Sequence, residues 1–305
     1  MPPLFYWSRR ISLELLEPVS LRPAPGRAES EPLPVFPVNQ RSAEPDGQLD
    51  GNPRYRVYAF HSEILPDDRH VMVYVPPQYF AEPKRRFPVF YLHDGQNLFD
   101  GRTSYLAGRT WRAHTTADRL AEAGEIEPVI LVGVANTGLR RMAEYTPTRD
   151  SKMGGGEGGL YGRMLIEELK PAIDRLYRTL PEAQHTGLGG SSLGGLITLY
   201  LGLTHPEVFS RLAVMSPSVW WDHRSIFHEV NRQRARPELR IWLDIGTAEG
   251  GRHVRDADLL EQALTRQGWR IGVDLAHTRV EGGTHDETAW AERFDDVLRF
   301  LYPAR

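Results

Sequence analysis

A short glycine-rich stretch contains the clearest candidate for chemistry in the chain. Residues 186–196 read TGLGGSSLGGL, and within them Gly190, Ser192 and Gly194 match the pattern G-x-S-x-G. In that pattern the central serine lies on a strained turn between a strand and a helix, whose backbones pass so closely that small neighbours are required. Ser192 is therefore the candidate nucleophile. A glycine-rich turn with an ordinary capping serine would give the same pattern, so the surrounding sequence has to decide.

A nucleotide-binding loop is the main alternative for the same stretch. Gly187 and Gly189 begin a G-x-G, but Ser192 stands where the third glycine of a dinucleotide-binding fingerprint belongs. No G-K-S or G-K-T occurs in the chain, which excludes a P-loop as a motif. The pattern therefore favours a nucleophilic serine.

A serine hydroxyl needs an imidazole to accept its proton and a carboxylate to orient that imidazole. In α/β-hydrolases the chain order is serine, acid, histidine, with the histidine in the loop after the last strand. Of the 11 histidines, His285 alone fits, just before an amphipathic C-terminal helix. An exposed loop histidine or a helix cap is the alternative role. Because the base must be neutral, activity is expected to fall as the pH drops through the ordinary imidazole range, about 6 to 7.

Three carboxylates follow the seventh predicted strand and compete for the role of the acid. Glu249 ranks first because it lies in a glycine-bearing turn beyond the strand. Asp244 belongs to the strand end and could instead bond the backbone of the turn. Asp256 is expected early in a helix, with a structural role at its first-turn amides.

Acyl transfer also needs donors for the developing oxyanion, each worth roughly 3 kcal/mol when preorganised. One is expected to be the backbone amide of Leu193, at the start of the helix after the nucleophile. The other is expected to be the amide of Gln96, in the polar turn HDGQN after the third strand. His93 and Asp94 in that turn are expected to brace the loop.

The elements that position these residues alternate between strands and helices. Eight short apolar or β-branched runs predict strands: YRVYAF, HVMVYV, FPVFYL, PVILVGV, HTGLGG, RLAVMS, LRIWLDI and IGVDLAHTRV. Helical periodicity is clear in residues 163–178 and 254–269. The first strands could pair antiparallel, whereas FPVFYL and PVILVGV are apolar throughout, as strands covered on both faces are. We predict an α/β-hydrolase fold with a mostly parallel sheet of about eight strands and helices on both faces.

Composition limits the classes of partner. The net charge of −3 with interspersed signs gives no basic footprint for nucleic acid. No window of 18 uncharged apolar residues or signal-peptide core is found, so we expect a cytoplasmic protein without a membrane partner. The absence of cysteine removes thiolate chemistry. Because 10 of the 23 prolines lie in residues 1–53, that segment is predicted to be an extended arm, and residues 54–305 the catalytic domain.

Five ordered motifs give the chain a family resemblance over roughly residues 54–303: YLHDGQNLF, NTGLRRMAEYTPT, GLGGSSLGGLITLYLGLTHPEVF, SPSVWW and GGTHDETAW. The chain resembles the enterochelin-esterase-like esterases. These are α/β-hydrolases related to siderophore esterases, feruloyl and acetyl-xylan esterases and the mycolyltransferases. Their joint occurrence in order is more specific than any one motif.

The resemblance implies the same nucleophile, histidine and oxyanion amides at Ser192, His285, Gln96 and Leu193. It implies an acid at Glu249, although a serine–histidine dyad operates in some siderophore esterases. The element R-x-x-E-Y falls on Arg141, Glu144 and Tyr145, and in relatives this segment borders the active site. A structural ion pair between Arg141 and Glu144 is the alternative.

The expected function is a serine carboxylic-ester hydrolase that forms an acyl-enzyme and needs no metal or organic cofactor. The substrate is expected to be a small-molecule ester. Arg141, Tyr145 and Trp111 are expected to bind it, and Trp111, Trp220 and Trp221 suit an aryl or apolar acyl group, unless they are core residues. Only Arg140 and Arg141 supply adjacent positive charge near the predicted site, so siderophore trilactones and short or aryl esters both stay open. A catalytically silent binding module and an acyltransferase are the alternatives.

Overall fold

The computed structural model describes residues 49 and 51–304 and, for the backbone alone, residues 21–23. Most of the proline-rich arm predicted for residues 1–53 lies outside the described residues. Within the described part, no helix has both the length and the apolar character needed to cross a bilayer.

Among the described residues, the central sheet contains nine strands, and a two-stranded hairpin lies apart from it. The strands are β1 Leu21–Pro23, β2 Tyr55–Phe60, β3 Arg69–Tyr74, β4 Val89–His93, β5 Ile130–Val134, β6 Arg149–Asp150, β7 Gly154–Gly155, β8 Thr186–Ser191, β9 Arg211–Met215, β10 Arg240–Gly246 and β11 Leu275–Val280. All eight predicted strands are present, and the three-residue β1 adds a ninth. The strands β6 and β7 form the separate hairpin.

The order in the sheet is β1-β2-β3-β5-β4-β8-β9-β10-β11. Six neighbouring strands of this order pair in parallel: β5, β4, β8, β9, β10 and β11. Val89 pairs with Ile130, for example, and Gly189 with Ala213. The strands β1, β2 and β3 add an antiparallel edge, in which β3 pairs with β5. The predicted α/β-hydrolase fold with a mostly parallel sheet is confirmed.

The helices are α1 Gln78–Ala81, α2 Ala113–Glu122, α3 Arg141–Glu144, α4 Gly158–Arg163, α5 Lys170–Leu176, α6 Leu193–Thr204, α7 Trp221–Arg224, α8 Ile226–Asn231, α9 Gly251–Arg266 and α10 Glu287–Leu301. Short 3₁₀ turns cover Gly95–Asn97, Gly138–Arg140, Ala183–His185 and Thr247–Glu249. The regular helix expected over 163–178 is interrupted, since Met164–Leu169 forms a π-helix between α4 and α5. Pro171 has no N–H to donate to the carbonyl of Glu167, so the ordinary α-helical bond is missing where the wide turn ends.

Two apolar clusters lie on the two faces of the sheet, as the apolar strands require. Along β4, Val89 and Tyr91 belong to one cluster, while Phe90 and Leu92 belong to the other. The helices α4, α5, α6, α8 and α9 contribute to the first cluster, and α2 and α10 to the second. Because successive side chains of a strand point to opposite faces, covering both faces requires apolar residues at every position.

The parallel strands all carry their carboxyl ends to one edge of the sheet. The loops after β4, β8, β9, β10 and β11 leave from that edge, where ligands bind in open α/β sheets. Every predicted catalytic and oxyanion residue lies on one of these loops or at its junction with the next helix.

Candidate active site

Ser192 occupies a strained turn between β8 and α6. Its backbone has φ 60° and ψ −121°, a conformation that L residues seldom adopt, and its side chain caps no helical amide. The ordinary capping serine is therefore excluded. A Cβ on Gly195 would lie 2.8 Å from the carbonyl oxygen of Met215, so the helix can pass this close to β9 only with glycine there.

The hydroxyl of Ser192 has a neighbouring serine as its partner. Ser192 Oγ lies 3.3 Å from Ser218 Oγ, and the amide of Ser218 donates to the carbonyl of Ser192 at 3.0 Å. Within residues 51–304, no hydrogen bond joins Ser192 Oγ to the imidazole of His285. The structure therefore holds the nucleophile candidate in a position turned toward Ser218.

His285 is bound to Glu249 through one of its ring nitrogens. The distance from Nδ1 to Glu249 Oε2 is 2.6 Å, and the ring meets that of Trp290 edge to face at 5.0 Å. Because an ionised carboxylate can only accept, the proton of the neutral ring is on Nδ1. Nε2 is then a free acceptor, the state that a general base for a hydroxyl requires. The histidine side chain is 42% exposed, so a ligand can reach it.

Glu249 is almost completely buried, and its oxygens are saturated with donors. Oε1 accepts from Ser216 Oγ at 2.6 Å and from the amide of Gly246 at 2.8 Å, while Oε2 accepts from His285. Burial alone would raise the pKa of Glu249, but these hydrogen bonds outweigh it and lower the pKa below the ordinary value. The carboxylate is ionised at neutral pH.

The other two candidate acids have different partners. Asp244 is fully buried at the end of β10, where it accepts from the amide of Ser216 at 3.1 Å and from Trp242 Nε1 at 2.7 Å. It bonds a backbone amide, as expected, but that amide belongs to Ser216 after β9 and not to the turn that contains Glu249. The sequence predicted that Asp256 binds first-turn amides of α9, and this prediction is wrong. Asp256 forms an ion pair with Arg224 at 2.6 Å. The reason is its position in the second turn of a helix that begins at Gly251.

Ser216 connects the acid to helix α10. Its hydroxyl donates to Glu249 and accepts from Trp290 Nε1 at 3.0 Å and from a guanidinium nitrogen of Arg293 at 2.7 Å. Arg293 is buried and also lies 3.4 Å from Asp244. Ser216, Trp290 and Arg293 were not predicted from the sequence as functional residues. A signal existed for one of them, since Arg293 falls on the apolar stripe of α10 with Trp290, where an arginine must find buried partners.

The expected oxyanion amides lie on turns that are held rigidly. A Cβ on Gly95 would lie 2.4 Å from the backbone of Gly133, so the turn with Gln96 packs directly on β5. Asn97 Nδ2 donates to Glu287 Oε1 at 3.2 Å, which ties this turn to the helix after His285. Within residues 51–304, the amides of Gln96 and Leu193 donate no hydrogen bond. Both are available to a ligand oxygen.

His93 and Asp94 brace the turn, as expected. The Nδ1 of His93 lies 2.9 Å from the hydroxyl of Tyr161, and burial lowers the pKa of His93 to about 3. Asp94 accepts from Asn136 Nδ2 at 2.7 Å and from two guanidinium nitrogens of Arg141 at 2.8 and 2.7 Å. Burial would raise the pKa of Asp94, but Arg141 and Asn136 outweigh it and lower the pKa.

The expected substrate-binding residues are placed differently from one another. Arg141 forms its ion pair with Asp94 rather than with Glu144, and its side chain stays 28% exposed. Glu144 instead forms a fully buried pair with Arg69, with distances of 3.0 and 2.9 Å.

Tyr145 and Trp111 are buried, which corrects the expectation that they contact the substrate. Tyr145 has no exposed surface, and its hydroxyl accepts from the amide of Asp94 at 3.1 Å. Trp111 is 2% exposed and packs against Trp290 and Phe294. Both aromatic rings support the walls of the site from the inside. Aromatic residues near a motif are often core residues, because their large apolar area favours burial.

The described residues bring together no group of three or more histidine, aspartate or glutamate side chains able to hold a metal ion. A strained serine at the strand–helix turn, a histidine bound to a buried carboxylate and two free amides lie on loops at one edge of a mostly parallel sheet. This fold and arrangement define the class of α/β-hydrolases. The chain belongs to the Esterase family: residues 62–301 match the family model described as "Putative esterase". The resemblance stated from the sequence motifs is confirmed, and the protein is a hydrolase that acts on esters.

Individual relatives agree with this family. The chain is 26% identical over 255 residues to the "Uncharacterized protein YbbA" of Bacillus subtilis, an alignment that covers 79% of this chain and 95% of that protein. It is 28% identical over 174 residues to the ferri-bacillibactin esterase BesA of the same organism, covering 51% of this chain and 56% of BesA. The crystal structure of the BES protein from Bacillus cereus superposes with a TM-score of 0.67 at 22% identity, covering 88% of this chain and 99% of that one. The last similarity concerns the fold.

Proposed function

We propose that the protein is a serine carboxylic-ester hydrolase that acts through an acyl-enzyme. Ser192 is the nucleophile, His285 the general base and acid, and Glu249 the carboxylate that orients the histidine. The observation that carries the proposal is the 2.6 Å bond from His285 Nδ1 to a buried, ionised Glu249, on the loop edge that also presents the strained Ser192.

The first half of the reaction transfers the acyl group to the enzyme. Ser192 Oγ turns from Ser218 toward Nε2 of His285. Oγ attacks the ester carbonyl carbon as its proton passes to Nε2, and the carbonyl oxygen becomes an oxyanion. The bond to the alcohol then breaks, and the alcohol leaves with the proton from Nε2.

The second half returns the enzyme to its starting state. Water gives a proton to Nε2 of His285, attacks the acyl carbon and releases the carboxylic acid, while Oγ takes the proton back. In both halves the oxyanion accepts from the amides of Gln96 and Leu193. Their free N–H groups support this role, because donors that are already fixed need no reorganisation as the charge develops.

A complete triad is preferred to a serine–histidine dyad because of the surroundings of Glu249. A carboxylate with a lowered pKa stabilises the imidazolium that forms at His285 during attack. Asp244 offers no such support to the ring, since its oxygens are engaged by Ser216 and Trp242.

The substrate class proposed is a small or aryl carboxylic ester, with siderophore trilactones included. The relative BesA is named as a ferri-bacillibactin esterase, which supports the trilactone. Arg141 keeps part of its side chain exposed beside the oxyanion turn and is the proposed contact for a substrate oxygen.

A hydrolysis panel tests the function. We expect the protein to cleave at least one of p-nitrophenyl acyl esters, feruloyl esters and a ferric catecholate trilactone, and Ser192→Ala to lower kcat/KM by about 10⁴-fold or more. Ser191→Ala is the matched control, because Ser191 ends β8 and is buried. Absence of turnover across the panel would favour the silent binding module. Ester formation that outcompetes hydrolysis when alcohols are added would identify an acyltransferase.

A further inference from the structure

A cavity of about 750 Å³ lies between the segments that follow β9 and β10. The cavity is open to solvent, and its volume is sufficient for a small molecule. The lining residues are Trp220, His223, Arg224, Gly251, Arg252 and Arg255.

The cavity adjoins the proposed catalytic residues through both of its walls. Ser218, two residues before Trp220, shares a hydrogen bond with Ser192. Glu249, two residues before Gly251, binds His285. Both walls of the cavity are thus continuous in the chain with segments that contact the proposed catalytic residues.

The cavity carries positive charge that its surroundings do not neutralise. Arg224 forms an ion pair with the buried Asp256 at 2.6 Å. Backbone hydrogen bonds are the main cause that lowers the pKa of Asp150, and nearby His223 lowers it further. Arg252 and Arg255 are exposed, and within residues 51–304 neither forms an ion pair or a side-chain hydrogen bond. Guanidinium groups around one cavity repel each other, and an anion between them would remove that repulsion.

The wall that follows β9 is also strained. Three consecutive residues of α7, Asp222, His223 and Arg224, have φ of 42°, 54° and 68°, so this short element is not a regular right-handed helix. Non-glycine residues adopt this region singly, rarely in succession, and such strain is concentrated at sites that bind ligands. Trp221 holds the segment in place, because it is buried and its Nε1 donates to the carbonyl of Thr148 at 2.9 Å.

We propose that this cavity binds a negatively charged oxygen group of the ester substrate. Arg252 and Arg255 contact the charge, and Trp220 packs against a planar part of the same molecule. Two arginines one helical turn apart can reach one carboxylate, since residues three apart lie on the same face of a helix. The inference rests on the proposed function, and it adds that the protein selects anionic over neutral esters of equal size.

Two matched pairs of esters test this selection. The first pair carries the charge on the acyl side: 4-nitrophenyl 4-carboxybenzoate and its 4-carbamoyl analogue. The second carries it on the alcohol side: 4-carboxyphenyl acetate and 4-carbamoylphenyl acetate. We expect kcat/KM to be about tenfold or more higher for the carboxylate member of at least one pair, with the preference reduced by added salt. The pair that shows the preference identifies which half of the ester enters the cavity.

The double variant Arg252→Gln, Arg255→Gln is expected to bring the ratio of kcat/KM within that pair close to one, mainly by raising KM for the carboxylate ester. Arg266→Gln, an exposed arginine in the last turn of the same helix, is the control and should keep the ratio. Equal rates within both pairs, or a preference that the double variant keeps, would overturn the proposal.

A binding measurement separates failure of this inference from failure of the proposed function. Ser192→Ala protein is titrated with both benzoate esters by calorimetry. Tighter binding of the carboxylate ester, lost in the added double variant, supports the cavity even when the wild-type protein turns over neither ester. Equal binding of the two esters contradicts it.

Discussion

The charge of Glu249 in a buried position depends on the donors that surround it. Its carboxylate is buried, yet four donors reach it, from His285, Ser216, Arg293 and the Gly246 amide. The order of motifs along the chain predicts Ser192, His285 and Glu249 as catalytic residues, because the fold fixes where loops follow strands, and the structure joins the last two by a hydrogen bond. Ser216 and Ser218 were not predicted, since nothing in a serine's local sequence says which distant group it will bind.

The replacement Glu249→Gln tests the role of the acid. We expect kcat to fall by about 10² to 10⁴-fold with little change in KM, because an amide neither fixes the Nδ1 proton nor stabilises the imidazolium. Steady-state kinetics on the best ester of the panel measures it.

The control for the acid is Glu261→Gln, a half-buried position on α9 that should leave kcat unchanged, since among the described residues Glu261 accepts a hydrogen bond only from Thr265 on its own helix. Retention of full activity by Glu249→Gln would instead indicate the serine–histidine dyad.

His93 predicts how stability depends on pH. Burial lowers its pKa to about 3 from an ordinary 6.5, so between these values the unfolded chain binds a proton that the folded chain does not. Above pH 6.5 His93 does not change the free energy of unfolding with pH. As the pH falls below 6.5, the free energy of unfolding decreases by up to about 1.4 kcal/mol per pH unit.

Urea unfolding of wild type and His93→Asn from pH 7 to 4 measures this slope. The free energy of unfolding of the variant should fall less steeply with acid than that of the wild type. Parallel profiles would show that His93 does not carry the effect.

At the scale of elements, close packing around helix α6 determines the geometry of the nucleophile. The eight strands could be predicted from apolar runs, and periodicity predicted α9 and a helix over 163–178 that the structure divides. The π-helix of Met164–Leu169 and the pairing of Arg69 with Glu144 could not. The first depends on one missing donor at Pro171, and the second joins residues 75 apart in the chain.

Gly195→Ala is expected to lower the free energy of unfolding by about 1 to 3 kcal/mol and to reduce activity, because its Cβ would push α6 away from the carbonyl of Met215. Gly159→Ala on α4 is the matched control. It has no atom within 4 Å of the new Cβ and should be neutral or slightly stabilising. Equal effects of the two substitutions on urea denaturation would contradict the packing account.

At the scale of the whole molecule, the sheet brings together residues far apart in the chain. Gln96, Ser192, Glu249 and His285 all lie after carboxyl ends of parallel strands. Leu49 is buried against the second apolar cluster, and its carbonyl accepts from the amide of Asn52. The domain therefore includes residues just before the boundary predicted at residue 54.

A shortened chain that begins at residue 48 loses the edge strand β1, which pairs only with β2 in the order of the sheet. It is expected to keep kcat/KM within about threefold of the full chain, because the proposed catalytic groups follow β4, β8, β10 and β11, which lie at least three strands away from β1 in the sheet. Circular dichroism confirms folding before the assay. A folded shortened chain with tenfold lower kcat/KM would show that the arm contributes to the site.

Labelling with a fluorophosphonate followed by peptide mapping determines whether Ser192 is a nucleophile activated by His285. We expect one adduct on Ser192, lost in Ser192→Ala and formed at least about 10²-fold more slowly in His285→Gln. An adduct on Ser191 or Ser218 instead, or ester hydrolysis that persists undiminished in Ser192→Ala, would contradict the account.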